Sequence, residues 1–287
     1  MSAIARIATT ARDPAPGRAH RLGRLAIASL HAELACAPKP GLVTPWSRGS
    51  HTDMDAGTFL RSLFAVRGYF VAIADAGQRD APFAVLRALG VRAEQAMLQA
   101  TGGINTHRGA IFSLGLLVAQ AARLREQTGH TPRGVEICQA VREWAPVLLS
   151  APLDHTSPGQ RARVRHAVPG VREQAAAGYP ILHEVALPTL QQALRRTGER
   201  EAALVQTLMT LVATVTDLNL LHRGGAQGLA FAQQQARAFL AAGGTFTPDW
   251  RQRMAVICTG FEHRRLSPGG SADLLACAWF LHAQEQR

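Results

Sequence analysis

The sequence predicts an all-α fold, a single-domain multi-helix bundle with long functional loops at the helix ends. Apolar residues recur at helical spacing along most of the chain, as at Leu22, Leu25, Leu30 and Leu34 near its start. No segment shows the alternation of β-branched and polar residues that is typical of a half-buried strand. Hydrophobic residues make up 47% of the 287 residues and charged ones 18%, which is enough for a sizeable core.

The elements follow in order from turn formers and apolar spacing. Residues 1–18 mix proline, glycine and charge without a period and are predicted to form a flexible N-terminal lead, followed by one helical catalytic domain over residues 19–287. Helices are predicted over 21–37, 59–77, 82–100, 107–125, 134–149, 167–177, 181–197, 199–221, 226–242 and 271–286. Asp55 or Thr58 is expected to cap the second helix, and Ser271 the last, with Asp273 in its first turn. The segment 152–163 is predicted to be a loop.

The helix predicted over residues 107–125 is apolar almost all round. In a protein outside the membrane this pattern is typical of a helix surrounded by other helices. We therefore expect it to be the central and best buried element.

The amino-acid composition limits which ligands and partners are expected. Lys and Arg number 31 against 20 acids, nearly all of the bases are Arg, and the formal net charge is +11, which suits a polyanionic ligand because guanidinium groups bind phosphate oxygens in a fork. Nucleic acid is not expected as a partner, because aromatic residues are only 6% and no basic run is interleaved with them. No apolar run approaches the length of about 20 residues that a membrane span needs, and no secretory signal is evident.

The cysteines indicate the compartment. Cys36, Cys138, Cys258 and Cys277 are widely spaced and form no CxxC pair. This spacing predicts neither a zinc knuckle nor a disulfide framework, but free buried thiols in a reducing environment. We expect a cytoplasmic protein.

Four loop-to-helix junctions combine glycine with charge: residues 39–55, 101–109, 217–225 and 267–273. Glycine lets the backbone approach a ligand, and the N-terminus of the following helix adds partial positive charge, so these junctions are predicted to bind phosphate. For any one junction the alternative is a simple helix C-cap. The candidate ATP- and phosphate-binding residues are Lys39, Gly102, Gly103, Asn105, His107, Arg108, Gly109, Asn219, His222, Arg223, Gly224, Gly225, Ser267, Gly269, Gly270 and Ser271.

Three acids and one histidine at these junctions are the candidate catalytic residues: Asp53, Asp55, Asp217 and His51. The three carboxylates are also the candidate Mg²⁺ ligands. For Asp53 and Asp55 the alternative is capping of the next helix. Asp217 falls inside a predicted apolar helix, where capping is not available and an unpaired acid is costly, which favours a functional role. A P-loop, an HExxH pair and a GxSxG elbow are all absent from the sequence.

The junctions resemble the triphosphoribosyl-dephospho-CoA synthase family. The resemblance spans most of the chain and rests on KPGLV at 39–43, GSHTDMD at 49–55, GINTHRG at 103–109, HRGG at 222–225 and SPGGSADLLA at 267–276. The sequences of residues 101–117 and 60–70 are more similar to the malonate decarboxylase branch of the family than to the citrate lyase branch. The sequence departs from the family pattern at two places. Residues 170–180, GVREQAAAGYP, stand where the family has R-G-E-A-x-x-G-x-P, which concerns Glu173. Leu218 stands between Asp217 and Asn219 where the family has threonine in the order D-T-N.

The resemblance implies a pentosyl-type transfer. The ribosyl 2′-hydroxyl of 3′-dephospho-CoA would attack C1′ of the ATP ribose, releasing adenine and leaving the triphosphate intact. Such a reaction needs a carboxylate near C1′, a base for the hydroxyl and a proton donor for adenine, for which Asp53, Asp55 and Asp217 are the candidates. Mg²⁺, with Lys39, Arg108, Arg223 and glycine N–H groups, would hold the triphosphate. His51, His107 and His222 could serve either task.

The product implied by the resemblance is the precursor of a prosthetic group that is later attached to an acyl-carrier subunit. Two alternatives stay open from the residues alone. One is a Mg²⁺-dependent hydrolase of the N-glycosidic bond of a nucleotide, in which water replaces the acceptor hydroxyl. The other is a basic helical binding protein without catalytic activity. The oligomeric state is left open.

Overall fold

The computed structural model describes residues 16–150, 163, 165 and 168–286, and within this part of the chain there is no strand. The all-α prediction is confirmed. The α-helices, numbered in chain order, are α1 (Pro16–Ala35), α2 (Ala56–Gln78), α3 (Phe83–Ala100), α4 (Arg108–Thr128), α5 (Gly134–Val141), α6 (Ala145–Ser150), α7 (Val171–Ala176), α8 (Leu187–Thr197), α9 (Arg200–Thr214), α10 (Leu218–Ala241), α11 (Trp250–His263) and α12 (Gly269–Glu285).

Helix α4 is the central element, as its all-round apolar sequence predicts, but it is not the best buried one, since 11 of the 15 residues of α9 are buried against 12 of the 21 residues of α4. Residues 110 and 111 and 113–122 are buried, and the helix packs against α1, α2, α3, α5 and α12. Glycines allow its closest approach to α2: a Cβ on Gly77 would lie 2.2 Å from the carbonyl oxygen of Ala119, and one on Gly115 would lie 2.0 Å from the Tyr69 hydroxyl. Small residues at this crossing bring the two backbones together and place the start of α4 beside α2.

Helix α12 joins the two halves of the bundle. It packs on α1 and α4 on one side and on α8, α9 and α10 on the other. Its buried residues include Leu274, Leu275, Phe280 and Leu281. The N-terminus of α12 therefore lies where the loop regions of both halves meet.

Several predicted boundaries shift. The first helix begins at Pro16, so residues 16–18 are helical, while residues 1–15 lie outside the described residues. The segment predicted as one helix over 134–149 is broken by a 3₁₀ turn at Arg142–Trp144, and the helix predicted over 181–197 begins with a π-helical turn at Ile181–Ala186. The loop predicted over 152–163 lies outside the described residues apart from residue 163.

The prediction of one helix over 199–221 is wrong. Helix α9 ends at Thr214, and Val215 and Asp217 have extended backbone conformations before α10 begins. Apolar spacing continues through the break, which is why periodicity alone misses it. Asp217 is therefore an N-cap, contrary to the inference that capping is not available to it. Helix α10 is itself interrupted at Gly225 (φ 60°), close to the start predicted at residue 226.

Helix α11 was not predicted. Its buried residues Trp250, Met254, Ile257 and Phe261 have the spacing of one helical face. That signal is present in the sequence. The expected N-cap role of Ser271 is also wrong, because α12 begins two residues earlier at Gly269.

Helix α2 is the one helix of the described chain that is long and apolar enough to cross a membrane by length and composition alone, and α9 with α10 would pass only as a pair bent by 59°. Helix α2 packs against α1, α3 and α4. The cysteines are free, as predicted: three are buried and Cys258 is partly buried. Burial raises the pKa of the thiols of Cys36, Cys138 and Cys258 to about 12.

Candidate active site

The four glycine-containing junctions, which are far apart in the sequence, come together in the fold. The residue 39–55 loop contacts both the 217–225 and the 267–273 junctions, and the 267–273 junction contacts the start of α4. Asp217 joins α10 to α12, and Asp273 joins α12 to α4. The N-terminal ends of three helices therefore meet in one place, and their partial positive charges add there.

Asp217 fastens two of these helix ends together. Its Oδ1 accepts the backbone N–H groups of Asn219 (2.8 Å) and Leu220 (3.3 Å), which caps α10. Its Oδ2 accepts the backbone N–H (2.8 Å) and the hydroxyl (2.9 Å) of Ser271 in α12. Burial raises the pKa of Asp217, although these four hydrogen bonds oppose the rise. All the ordinary acceptor positions of the carboxylate are taken.

The loop over residues 39–55 is anchored on the segment that leads into α12. The Ser50 hydroxyl donates to the carbonyl of Leu266 (2.6 Å) and lies 3.3 Å from that of Phe261. Gly41 has a φ of +67°, and a Cβ there would lie 1.9 Å from the Leu266 carbonyl oxygen. Glycine is required at this position on both counts. This anchoring holds the next residue, His51, against the site.

His51 is held on both ring nitrogens. Arg223 Nη2 lies 3.0 Å from Nδ1, and since a guanidinium can only donate, Nδ1 accepts and Nε2 carries the hydrogen. Nε2 then donates to the Ser267 hydroxyl at 2.9 Å. Burial, and next the charge of Arg223, lower the pKa of His51 to about 4, with Asp53 opposing them. His51 is neutral near pH 7 in a defined tautomer.

The two acids of the DMD motif have different environments. Asp55 caps α2, accepting the N–H of Thr58 through Oδ1 (2.9 Å), and its Oδ2 pairs with Arg48 (3.1 Å). The hydrogen bonds from Thr58 lower the pKa of Asp55. Asp53 is largely exposed, and its Oδ1 lies 3.7 Å from Nδ1 of the neutral His51. Capping is confirmed for Asp55, whereas Asp53 keeps an accessible carboxylate.

In the 101–109 junction, the first residues cap helix ends at the surface, whereas His107 points into the protein. Gly102 and Gly103 have φ of +66° and +89° after the end of α3, which is the C-cap alternative. Asn105 is exposed, and its side chain accepts the N–H of Arg108 (3.1 Å) at the start of α4. The Arg108 guanidinium pairs with Glu94 of α3 (3.1 Å).

His107 points into the protein and is 3% exposed. Its Nδ1 lies 2.7 Å from the Ser62 hydroxyl, and its ring contacts Phe59 edge-on at 5.0 Å between centroids. Burial, and next Lys39, lower the pKa of His107 to about 3. Its Nε2 and the hydroxyl of Thr106 are buried without a hydrogen-bond partner. Buried polar atoms are usually hydrogen-bonded, so these two are exceptions among the described residues.

Lys39 lies in the interior and is 3% exposed. Its Nζ donates to the Glu33 carboxylate (2.5 Å) and to the Glu33 backbone carbonyl (2.6 Å). Lys39 is thus part of a buried ion pair rather than an open phosphate contact. Glu33 was not identified from the sequence, because it stands within the predicted first helix and outside the four junctions.

Asp273, like Glu33, is a residue of this site that was not among the candidates from the sequence. It was predicted only as a first-turn residue of α12, but its carboxylate accepts the backbone N–H of Ala110 in α4. Gly109 makes this approach possible, since a Cβ there would lie 2.0 Å from Asp273 Oδ2. Burial, and next the negative charges of Glu33 and Asp217, raise the pKa of Asp273 well above its ordinary value.

The remaining candidates line the same junctions. A Cβ on Gly224 would lie 2.6 Å from Leu266, one on Gly269 would lie 2.8 Å from the Asn219 amide, and one on Gly270 would lie 3.2 Å from Asp217. Gly225 provides the interruption in α10. His222 is exposed in the first turns of that helix.

Glu173 lies at a different place. It accepts the N–H of Gly170 (2.8 Å), which caps α7, and it pairs with Arg163. Among its described contacts none is with the four junctions. The structure therefore accounts for Glu173 as a capping residue.

No group of three or more His, Cys, Asp or Glu side chains among the described residues is arranged to hold a metal ion. Mg²⁺ commonly takes only one or two carboxylates together with substrate phosphates. Of the three candidate ligands, Asp217 has no acceptor position left and Asp55 uses both oxygens. Asp53 is the residue that fits.

An all-α enzyme, with buried acids and imidazoles at converging helix ends, is the class of protein that this fold and site define. The family model for CitG, ATP:dephospho-CoA triphosphoribosyl transferase, matches residues 19–287. The chain belongs to this family and is a transferase. The resemblance inferred from the junction motifs is confirmed.

Similar proteins agree with this assignment. A 2-(5''-triphosphoribosyl)-3'-dephosphocoenzyme-A synthase of Pectobacterium atrosepticum is 40% identical over 264 residues, covering 88% of this chain and 86% of the relative. The protein of the same name from Klebsiella pneumoniae is 37% identical over 266 residues, 89% of this chain and 88% of the relative. A probable synthase of Acinetobacter calcoaceticus is 36% identical over 265 residues, 92% and 90% respectively. No solved structure matches this chain.

Proposed function

We propose that this transferase makes 2′-(5-triphosphoribosyl)-3′-dephospho-CoA from ATP and 3′-dephospho-CoA and releases adenine. The ribosyl hydroxyl of the acceptor replaces adenine at C1′ of the ATP ribose, and the triphosphate is kept. Family membership and the names of the similar proteins support this choice of substrates.

The observation that carries the proposal is the meeting of the N-termini of α4, α10 and α12. Helix N-termini attract anions through the helix dipole and through those backbone N–H groups that no side chain caps, without a base or nucleophile that would attack phosphorus. Arg223 adds a cation at the edge, where it also contacts the carbonyls of Ser50 (3.3 Å) and Arg265 (3.2 Å). Such a site holds a triphosphate and leaves it intact.

The acids then have different tasks. Asp217 and Asp55 are positioning residues, since their oxygens are engaged by backbone and side-chain partners. Asp53, which is accessible, would hold Mg²⁺ together with the triphosphate oxygens. The ion supplies charge neutralisation for the triphosphate. His51 and Ser267 keep Arg223 oriented toward the loop.

Mass spectrometry of a reaction containing ATP and 3′-dephospho-CoA tests this function. We expect adenine and the triphosphoribosyl product to form together, and neither to form when the acceptor is omitted. Ribose triphosphate released without the acceptor would instead identify a hydrolase. Salt-sensitive DNA binding without any ATP-dependent product would identify a binding protein.

Arg223→Gln gives the matching site variant, and Arg251→Gln is its control. Arg251 is a surface residue that pairs with Glu201 (2.9 Å) outside the junctions. We expect the first variant to raise the KM for ATP and the second to leave it unchanged. Equal values for the two variants would contradict the assignment of the triphosphate to this place.

We also propose that the enzyme acts in the cytoplasm and that its product is passed on for attachment to the acyl-carrier subunit of malonate decarboxylase. The free, buried cysteines suit a reducing compartment. The sequences at 101–117 and 60–70 support the malonate branch. Deleting the gene should then abolish growth on malonate and leave citrate fermentation intact, whereas the opposite result would assign the citrate lyase branch.

A further inference from the structure

Five ionisable side chains from five different parts of the fold form a cluster behind the converging helix ends: Glu33, Lys39, His107 and Asp217, which are buried, and Asp273, which is half-buried. We propose that Asp273 is a catalytic acid of this enzyme, which gives its proton to the departing adenine. This inference rests on the proposed function, because it assigns a residue to the adenine-releasing step.

The position of Asp273 is built by two elements. It stands in the first turn of α12, and its carboxylate reaches across to the N–H of Ala110 in the first turn of α4. Gly109 leaves the space for it, since any larger residue would overlap Oδ2. The carboxyl group therefore lies between two of the helix N-termini to which the triphosphate is assigned.

Asp273 also differs from its neighbours in exposure. Glu33, Lys39, His107 and Asp217 are each 7% exposed or less, whereas Asp273 is half-buried. It is the most exposed member of this cluster. Asp217 cannot take its place, because four hydrogen bonds occupy its carboxylate.

The groups around Asp273 favour its protonated form. Glu33 of α1 and Asp217 at the start of α10 are both acidic, and Cys277 on its own helix is a neutral buried thiol. The only nearby cation, among the described members of the cluster, is Lys39, and its Nζ is bonded to Glu33. The Ala110 N–H favours the charged form but does not offset the burial and the two acids, so the pKa of Asp273 stays raised.

The proposed step balances. The bond between C1′ and N9 of adenine breaks and its electron pair stays on the base, while the proton of Asp273 goes to a ring nitrogen of adenine. The acceptor oxygen forms the new bond to C1′ and loses its proton to solvent or a nearby base. Asp273 is reprotonated from solvent, and the triphosphate does not change.

Asp273→Asn tests the proposal with little change of shape, because the amide oxygen can still accept the Ala110 N–H. We expect kcat for adenine release to fall by about 100-fold or more, the usual contribution of a general acid. Asp273→Glu should recover part of the activity. Asp249→Asn, which alters a surface ion pair with Arg253, is the matched control and should keep the wild-type rate.

A second substrate separates proton donation from a structural role. The base of 7-methyl-ATP already carries a positive charge, so it leaves without a proton. We expect the ratio of wild-type to Asp273→Asn rates to fall from about 100 with ATP toward about 1 with 7-methyl-ATP. An equal loss with both substrates would overturn the proposal, since a distorted site would slow both.

The pH profile gives a measurement that uses the natural substrates, without 7-methyl-ATP. Wild-type kcat should fall as the pH rises through the raised pKa of Asp273, and this decrease in kcat should be absent in Asp273→Asn. The same decrease in kcat in both proteins would overturn the proposal. Failure of the proposed function would look different, because wild-type enzyme would then form no triphosphoribosyl product from ATP and 3′-dephospho-CoA at any pH.

Discussion

Asp217 and Ser271 are 54 residues apart in the sequence, and one carboxylate oxygen of Asp217 accepts both the backbone N–H and the hydroxyl of Ser271. The other oxygen caps α10. One side chain therefore fixes the spacing between the N-termini of two helices. Because the proposed anion site consists of such helix ends, its geometry depends on this contact.

The first prediction concerns this contact. In Asp217→Asn the amide group faces the Ser271 N–H, so a buried donor meets a donor, and we expect the free energy of unfolding to fall by about 1–3 kcal/mol. Urea denaturation measures it. Asp80→Asn, on the exposed turn after α2, is the control and should change stability little. A stability equal to wild type in Asp217→Asn would show that the contact does not hold the helices.

The second prediction concerns the space beside Asp273. Gly109→Ala places a methyl group where Asp273 Oδ2 lies, so we expect a lower Tm and a large loss of kcat. Gly68→Ala, in the middle of α2, meets no atom within 4 Å and should stabilise the protein by about 0.5–1 kcal/mol. Thermal unfolding and adenine release compare them. Similar behaviour of the two variants would refute the close approach.

The third prediction concerns acid sensitivity. His51 and His107 are neutral in the folded protein down to a pKa of about 4 and about 3, whereas the unfolded chain protonates them below about pH 6.5. Their contribution to stability is therefore fully present above pH 6.5 and is lost as the pH falls below it. The expected loss is up to about 1.4 kcal/mol per pH unit for each histidine.

Urea unfolding at pH 7 and pH 5 measures this loss. The decrease in stability between the two pH values should be smaller in His107→Gln than in wild type. His20→Gln, at an exposed position of α1, should match wild type. An unchanged decrease in His107→Gln would mean that His107 is charged or solvated in the folded protein.

The fourth prediction concerns Mg²⁺. If Asp53 holds the ion with the triphosphate, Asp53→Asn should raise the Mg²⁺ concentration for half-maximal activity at least about tenfold. Because Asp53 is exposed, its removal should not change the Tm. Magnesium titration of adenine release checks this. An unchanged Mg²⁺ requirement would show that the triphosphate alone carries the metal.

The fold class and most helices were predictable because they depend on local patterns. The unbroken apolar surface of α4 identified the central helix, and the turn formers around Gly102 located the end of α3. Helix α11 was missed although its apolar spacing is regular. The break before Asp217 was missed because apolar residues continue through it, so only the extended backbone at Val215 reveals it.

The sequence by itself determined the family, the helical class and the four junctions, because glycine-containing motifs and apolar periodicity depend only on residues that are close together in the sequence. The tertiary structure alone decided which of those residues bear the chemistry. In the folded protein Lys39 binds the buried Glu33, and Asp217 binds Ser271 at the start of α12. Asp273 accepts a hydrogen bond at the start of α4. The physical reason is that burial and partner choice depend on contacts between helices far apart in the chain, and these contacts set which carboxylate is engaged and which keeps a proton.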